Sequence, residues 1–110
     1  MKKIFTVIMA LCAFSASHAQ FRFNAQHPDA HDPVMAKGED GRFYVFTTGF
    51  NVGVMSSADL KEWKQEPSAL KQVPEWAPQE VKGFRGHTWA PDISYHNGKW
   101  YLYYSPLASP

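Results

Sequence analysis

Asp32 and Asp92 each stand beside a proline at the mouth of an aromatic-rich strand, in Asp32-Pro33-Val34-Met35 and Trp89-Ala90-Pro91-Asp92-Ile93. A carboxylate at a strand mouth is fixed yet wet, which suits proton transfer to or from water. Polar groups gathered at one end of repeated strands are where a carbohydrate-cleaving site could be built. The plainer reading of each aspartate is a turn residue at a strand start, since Asp-Pro is common in turns. Asp29, in His27-Pro28-Asp29, is a rival to Asp32. It is followed by Ala30 rather than proline, and no strand begins at once. Residue types alone leave these alternatives open.

The elements that would position these groups form a repeat. Asp32-Pro33-Val34-Met35-Ala36-Lys37 leads through a Gly-containing turn into Arg42-Phe43-Tyr44-Val45-Phe46-Thr47-Thr48. Trp89-Ala90-Pro91-Asp92-Ile93-Ser94-Tyr95-His96 leads through Asn97-Gly98 into Lys99-Trp100-Tyr101-Leu102-Tyr103-Tyr104. Asn-Gly between alternating apolar runs is a strong hairpin signal, because both residues tolerate positive φ. The turn glycines Gly41 and Gly98 are 57 residues apart, against roughly 40–50 residues per blade in common propeller repeats. Within the first repeat, strands are expected at 34–37, 43–50 and 52–56, with an outer strand beginning at Trp63. Residues 68–86, with Pro74, Pro78, Gly83 and Gly86, read as a long connection. Pro78 argues against a helix over 75–82. The fold class is all-β: four successive short strands with tight connections make one propeller blade, and a second blade starts here.

Composition narrows the function classes. Lys2 and Lys3 precede an apolar run over 4–14, and Ser17-His18-Ala19 offers small residues before Gln20. Residues 1–19 thus read as a secretory signal peptide, too short in its apolar part for a membrane span. Its removal takes the single cysteine, Cys12, and leaves no thiolate metal site. Removing Lys2 and Lys3 from the eleven basic residues leaves nine against ten acidic ones. That balance supplies no basic field for nucleic acid. All four Trp and all five Tyr lie beyond the signal, where they can build a core or stack on sugar rings. No metal-ligand spacing, phosphate loop or Ser-His-Asp pattern is present.

The ordered motifs resemble glycoside hydrolase family 43. They are His31-Asp32-Pro33-Val34-Met35, then residues 41–49, then Ser56-Ser57-Ala58-Asp59-Leu60-Lys61-Glu62-Trp63, then Trp89-Ala90-Pro91-Asp92-Ile93. Within the family, H-D-P and W-A-P-D-I are similar to motifs of the endo-acting 1,5-α-L-arabinanases. The resemblance covers residues 30–104 and implies a five-bladed β-propeller with a central funnel, of which only the first blade and the start of the second are expected here. It implies that residues 20–110 are the N-terminal part of a truncated catalytic domain. It further implies inverting hydrolysis of an arabinose- or xylose-containing polysaccharide, with one carboxylate and one carboxylic acid about 6.5–9.5 Å apart around a water.

By the same resemblance, Asp32 is the general base. Trp89 lines the funnel near the cleaved bond, and Asp92 binds substrate or neighbouring backbone. His31 and His87 are funnel candidates, as are Phe50 and Asn51 on the bend after the second strand. Trp63, Trp100, Tyr101 and Tyr103 read instead as blade core or inter-blade packing. The general acid and the aspartate that tunes it are expected beyond Pro110, so the chain alone is expected to be inactive. No cofactor is expected here; the family's calcium would take its protein ligand from a late blade. The expected partner is plant cell-wall arabinan, met after export to the periplasm or outside the cell by a monomer with no membrane span. Two rivals remain: an exo-acting arabinofuranosidase or β-xylosidase, and a non-catalytic carbohydrate-binding propeller.

Overall fold

The computed structural model describes residues 22–108; the signal-peptide reading of residues 1–19 lies outside them. Strand β1 (Val34–Lys37) and strand β2 (Phe43–Thr47) form the first hairpin, with Val34 opposite Phe46 and Lys37 opposite Phe43. Its loop closes through Gly38 N–H on the Arg42 carbonyl (2.8 Å) and Gly41 N–H on the Gly38 carbonyl (3.0 Å). The Asp40 carboxylate caps the loop, accepting from Arg42 N–H at 3.0 Å and from the Tyr44 hydroxyl. These bonds hold Asp40 below the usual carboxylate range, the Tyr44 hydroxyl being the larger cause, and they raise Tyr44.

The aromatic run over 43–50 does not continue as one strand. After Thr47 the chain crosses to a second sheet as β3 (Gly49–Phe50), turns at Asn51-Val52, and returns as β4 (Gly53–Ser57). Propensity favours an unbroken strand here. The crossing overrides it because Thr48 N–H bonds the His31 carbonyl, and Gly49 and Phe50 then pair with Thr88 and His87 of another strand; the left-handed Asn51 (φ 49°) and Val52 (φ 63°) turn the chain back. Strand β5 (Lys64–Glu66) completes a four-stranded antiparallel sheet in the order β1-β2-β4-β5. The buried Ser56 hydroxyl secures this edge, accepting from Arg42 Nη2 (3.0 Å) and donating to Glu66 Oε1 (2.7 Å).

The Ser57-Ala58-Asp59-Leu60 segment between β4 and β5 is a side-chain-built turn. Ser57 Oγ accepts from Leu60 N–H at 2.8 Å, and Asp59 Oδ1 accepts from Lys61 and Glu62 N–H at 2.9 Å each. Those backbone donors lower the Asp59 pKa, Glu62 most. The long connection holds one helical turn, α1 (Ala77–Glu80), with Pro78 in its first turn. Proline is tolerated there because that N–H has no intrahelical partner. The expectation against a helix over 75–82 is corrected to this extent.

Strand β6 (Phe84–His96) begins earlier than expected and pairs on one side with β3 and on the other with β7 (Lys99–Ala108). Asn97 (φ 49°) and Gly98 (φ 77°) form the two-residue turn between them. The two sheets face each other across an apolar cleft of about 300 Å³, lined by Ala36, Tyr44 and Phe46 from one and Ile93, Trp100 and Leu102 from the other. Trp100 thus packs between sheets, as expected. Tyr101 and Tyr103 lie outside this cleft, Tyr103 being 62% exposed. Alternation puts both on the face of β7 away from the cleft, which no described element covers.

Candidate functional site

The site lies where β1, β3 and β6 meet, at the end of the first sheet opposite its hairpin turn and midway along β6. Thr48 joins its parts. Its backbone N–H donates to the His31 carbonyl (3.0 Å), its hydroxyl donates to Asp32 Oδ2 (2.9 Å), and its Oγ1 accepts from Ala90 N–H (2.9 Å). Asp32, at the end of one sheet, is thereby tied to the residue after Trp89 in the other. His31 Nε2 lies 3.4 Å from the same carboxylate oxygen. Asp32 (φ 47°) and Ala90 (φ 43°) are both left-handed, a conformation that costs about 1–2 kcal/mol for residues other than glycine.

Beneath this bridge lies a buried polar knot. The Thr88 hydroxyl donates to the Gly49 carbonyl at 2.8 Å and accepts from Val52 N–H at 2.9 Å. Thr88 and Val52 are fully buried, so water cannot replace the bond between them. Asn51 N–H donates to the Gly86 carbonyl at 2.7 Å, and Leu70 N–H donates to the Asn51 carbonyl at 3.1 Å. These bonds fix how β3 crosses to β6.

An aromatic row stands above the knot. Phe50 pairs with His87 across β3 and β6. His87 meets Trp89 edge to face, with ring centroids 6.0 Å apart. Trp89 is 48% and Phe50 60% exposed. The Phe50 ring lies over Gly86, where a Cβ would collide with it.

The fold therefore brings together His31, Asp32, Phe50, His87 and Trp89. It treats the other two candidates differently. Asn51 is 2% exposed with its side-chain Oδ1 unpartnered; it belongs to the knot, because its left-handed turn points it inward. Asp92 lies past the irregularity after Trp89, and its Oδ1 accepts from the adjacent Ile93 N–H at 3.0 Å. That is the backbone contact among its two expected roles.

Thr48, Thr88 and Ala90 were not expected as site residues. Thr48 reads locally as one more β-prone residue, and its partners lie 16 and 42 positions away. The left-handed Ala90 carries no local signal either. Among the described residues no three His, Cys, Asp or Glu side chains converge to hold a metal ion. Among the described residues no helix is long and apolar enough to cross a membrane.

The sequence profile of glycosyl hydrolases family 43 matches residues 26–109. The chain belongs to glycosyl hydrolase family 43. It is 40% identical over 98 residues to the extracellular exo-α-(1→5)-L-arabinofuranosidase ArbA of Cellvibrio japonicus, covering 89% of this chain and 28% of that protein. It is 36% identical over 96 residues to the extracellular endo-α-(1→5)-L-arabinanase 1 of Bacillus subtilis, covering 83% and 29%. Among solved structures it resembles an exo-1,5-α-L-arabinanase from a bovine ruminal metagenomic library. That match has a TM-score of 0.74 and 54% identity over 79% of this chain and 28% of the other. The chain thus spans under a third of the length of these relatives, matching their N-terminal part. The family-43 resemblance of the motifs is borne out.

Proposed function

We propose that this chain forms the base-bearing part of an arabinan hydrolase. Asp32 takes a proton from water as the water attacks the anomeric carbon of an α-1,5-linked L-arabinofuranosyl unit, inverting its configuration. An acid supplied by another part of the active propeller protonates the leaving oxygen. The family resemblance assigns that acid to none of the carboxyls described here, so the 110-residue chain alone is expected not to hydrolyse arabinan. Trp89 and Phe50 offer exposed aromatic faces on which furanose rings stack, with His87 and His31 beside them. Asp92 is a further substrate ligand through Oδ2, since only its Oδ1 accepts from the Ile93 N–H. Two sheets packed face to face, each opening with a strand that ends at this site, suit successive blades of a five-bladed propeller around a funnel. Export to the periplasm or beyond and action as a monomer on plant cell-wall polysaccharide complete the reading.

The observation that most supports it is one contact chain. An exposed carboxylate, Asp32, is hydrogen-bonded through Thr48 to Ala90, the neighbour of the exposed Trp89. This joins a base to a stacking surface, the two parts that hydrolysis of a sugar polymer requires of this region.

The test joins all 110 residues to the part of the ruminal exo-arabinanase beyond the matched span, and follows reducing sugar released from linear arabinan. Replacing Asp32 with Ala should cut turnover by about 10²-fold or more, within the range that a general base contributes. Turnover retained by that variant would remove Asp32 from the mechanism. The motifs favour endo action; exo action is a second reading, favoured by the names of the relatives at 54% and 40% identity. Early products decide between them: a spread of oligosaccharides for endo, a single small product for exo.

A further inference from the structure

We propose that Thr48 is the positioning residue of the general base, using one hydroxyl to set Asp32 relative to the sugar-stacking surface; the inference rests on the reading of Asp32 given above. Asp32 is exposed, and an aspartate side chain has three staggered χ1 wells to choose from. A base must nevertheless aim at one water, and a misplacement of about 1 Å can cost about 10²-fold in rate. Something must therefore select the rotamer.

Thr48 does so at two points. Its backbone N–H holds the His31 carbonyl, immediately before Asp32, and its hydroxyl holds Asp32 Oδ2. The direction of the hydroxyl proton follows from the third contact. A hydroxyl has one proton and two lone pairs. Ala90 N–H, which can only donate, occupies a lone pair of Oγ1, so the single proton goes to the carboxylate. The Ala90 backbone in turn is set by β6, two residues beyond the knot at Thr88. Asp32 is therefore referenced to the strand that carries Trp89 rather than to its own loop. Among the described residues both recorded polar contacts, from Thr48 and His31, fall on Oδ2, which leaves Oδ1 to face water. The arrangement assigns the two carboxylate oxygens different tasks, Oδ2 for anchorage and Oδ1 for proton transfer.

Valine is nearly isosteric with threonine but has no hydroxyl, whereas serine keeps the hydroxyl and loses only a methyl group. In the joined enzyme, Thr48→Val should lower kcat by about tenfold or more, with KM changed by less than about twofold. Thr48→Ser should restore most of the rate. Asp32→Asn serves as the reference. If Asp32→Asn keeps its turnover, the reading of the base fails. If Asp32→Asn is dead while Thr48→Val is unimpaired, the base stands and the positioning role falls. Equal losses for Val and Ser would also overturn it, since the hydroxyl would then not be the cause. A second measurement, amide hydrogen exchange at Ala90 in the 110-residue chain, does not depend on activity. Protection in wild type and Thr48→Ser with loss in Thr48→Val is expected; equal exchange in all three would show that the bridge does not form.

Discussion

The two ends of these sheets solve the same geometric problem with opposite materials. At the hairpin end the chain reverses through Asn97 and Gly98, residues that adopt positive φ readily. At the junction end, positive φ is imposed on Asp32, Val52 and Ala90, two of which have no polar side chain to ease it. The Asn97-Gly98 turn uses residues that suit the backbone, whereas the β4–β5 turn, at the hairpin end of the first sheet, carries a left-handed Leu60 (φ 65°). The junction end keeps residues whose side chains and amides are needed there, and surrounding contacts hold the backbone. Strain maintained by such packing gathers at functional sites, which agrees with the reading of the junction proposed above.

That contrast can be broken most directly at its buried centre. Thr88→Val should remove both hydroxyl bonds and leave the Val52 N–H buried and unpaired. At about 1–3 kcal/mol per unsatisfied group, a loss of roughly 2 kcal/mol is expected in urea unfolding of the chain. A change under about 0.5 kcal/mol, the range of ordinary surface substitutions, would mean that the knot does not hold the junction.

A matched glycine pair sharpens the comparison. Gly86 (φ 103°) and Gly98 (φ 77°) both lie in the left-handed half of φ space, but only Gly86 has a neighbour, the Phe50 ring, where a Cβ would go. Gly98→Ala should cost about 1 kcal/mol from conformation alone. Gly86→Ala should cost about 2 kcal/mol, within the range for backbone strain, and should displace Phe50, an exposed ring that swings rather than crushes. Equal losses at the two sites would show that Phe50 does not lie over Gly86.

The smallest effect belongs to the hairpin end and to pH. The Asp40 pKa is lowered, so this bond stabilises the fold above the usual aspartate value of about 3.9 and fades as pH falls through the lowered one. Tyr44 is raised, so its share persists below its usual value of about 10 and is lost as pH climbs past the raised one. Both groups face solvent, and screening keeps the effect small. Tyr44→Phe should melt slightly below wild type at neutral pH, and the two curves should draw together as the pH falls through the lowered Asp40 value. A gap that persists in acid would assign the effect to packing.

Much of this organisation was legible along the chain. The hairpin at Asn97-Gly98, the strand at Val34–Lys37 and the turn at Ser57–Leu60 follow from bonds between residues at most a few positions apart. The pairing of Asp32 with Trp89 as candidates came from motif order. Less legible was the crossing of residues 48–50 to the other sheet. A β-prone run of Thr, Gly and Phe reads identically whether it extends its own ladder or leaves for another.

The sequence alone determined an all-β chain, its turns and the family to which it belongs, because period-2 patterning, turn chemistry and ordered motifs are properties of neighbours. Only the tertiary structure decided that Thr48 bridges Asp32 and Ala90, that Asn51 turns inward, and that Asp92 turns one carboxylate oxygen to its own backbone. Those outcomes depend on hydrogen-bonding groups brought together from far along the chain, or on a backbone direction that the surrounding contacts fix, and no local pattern encodes either.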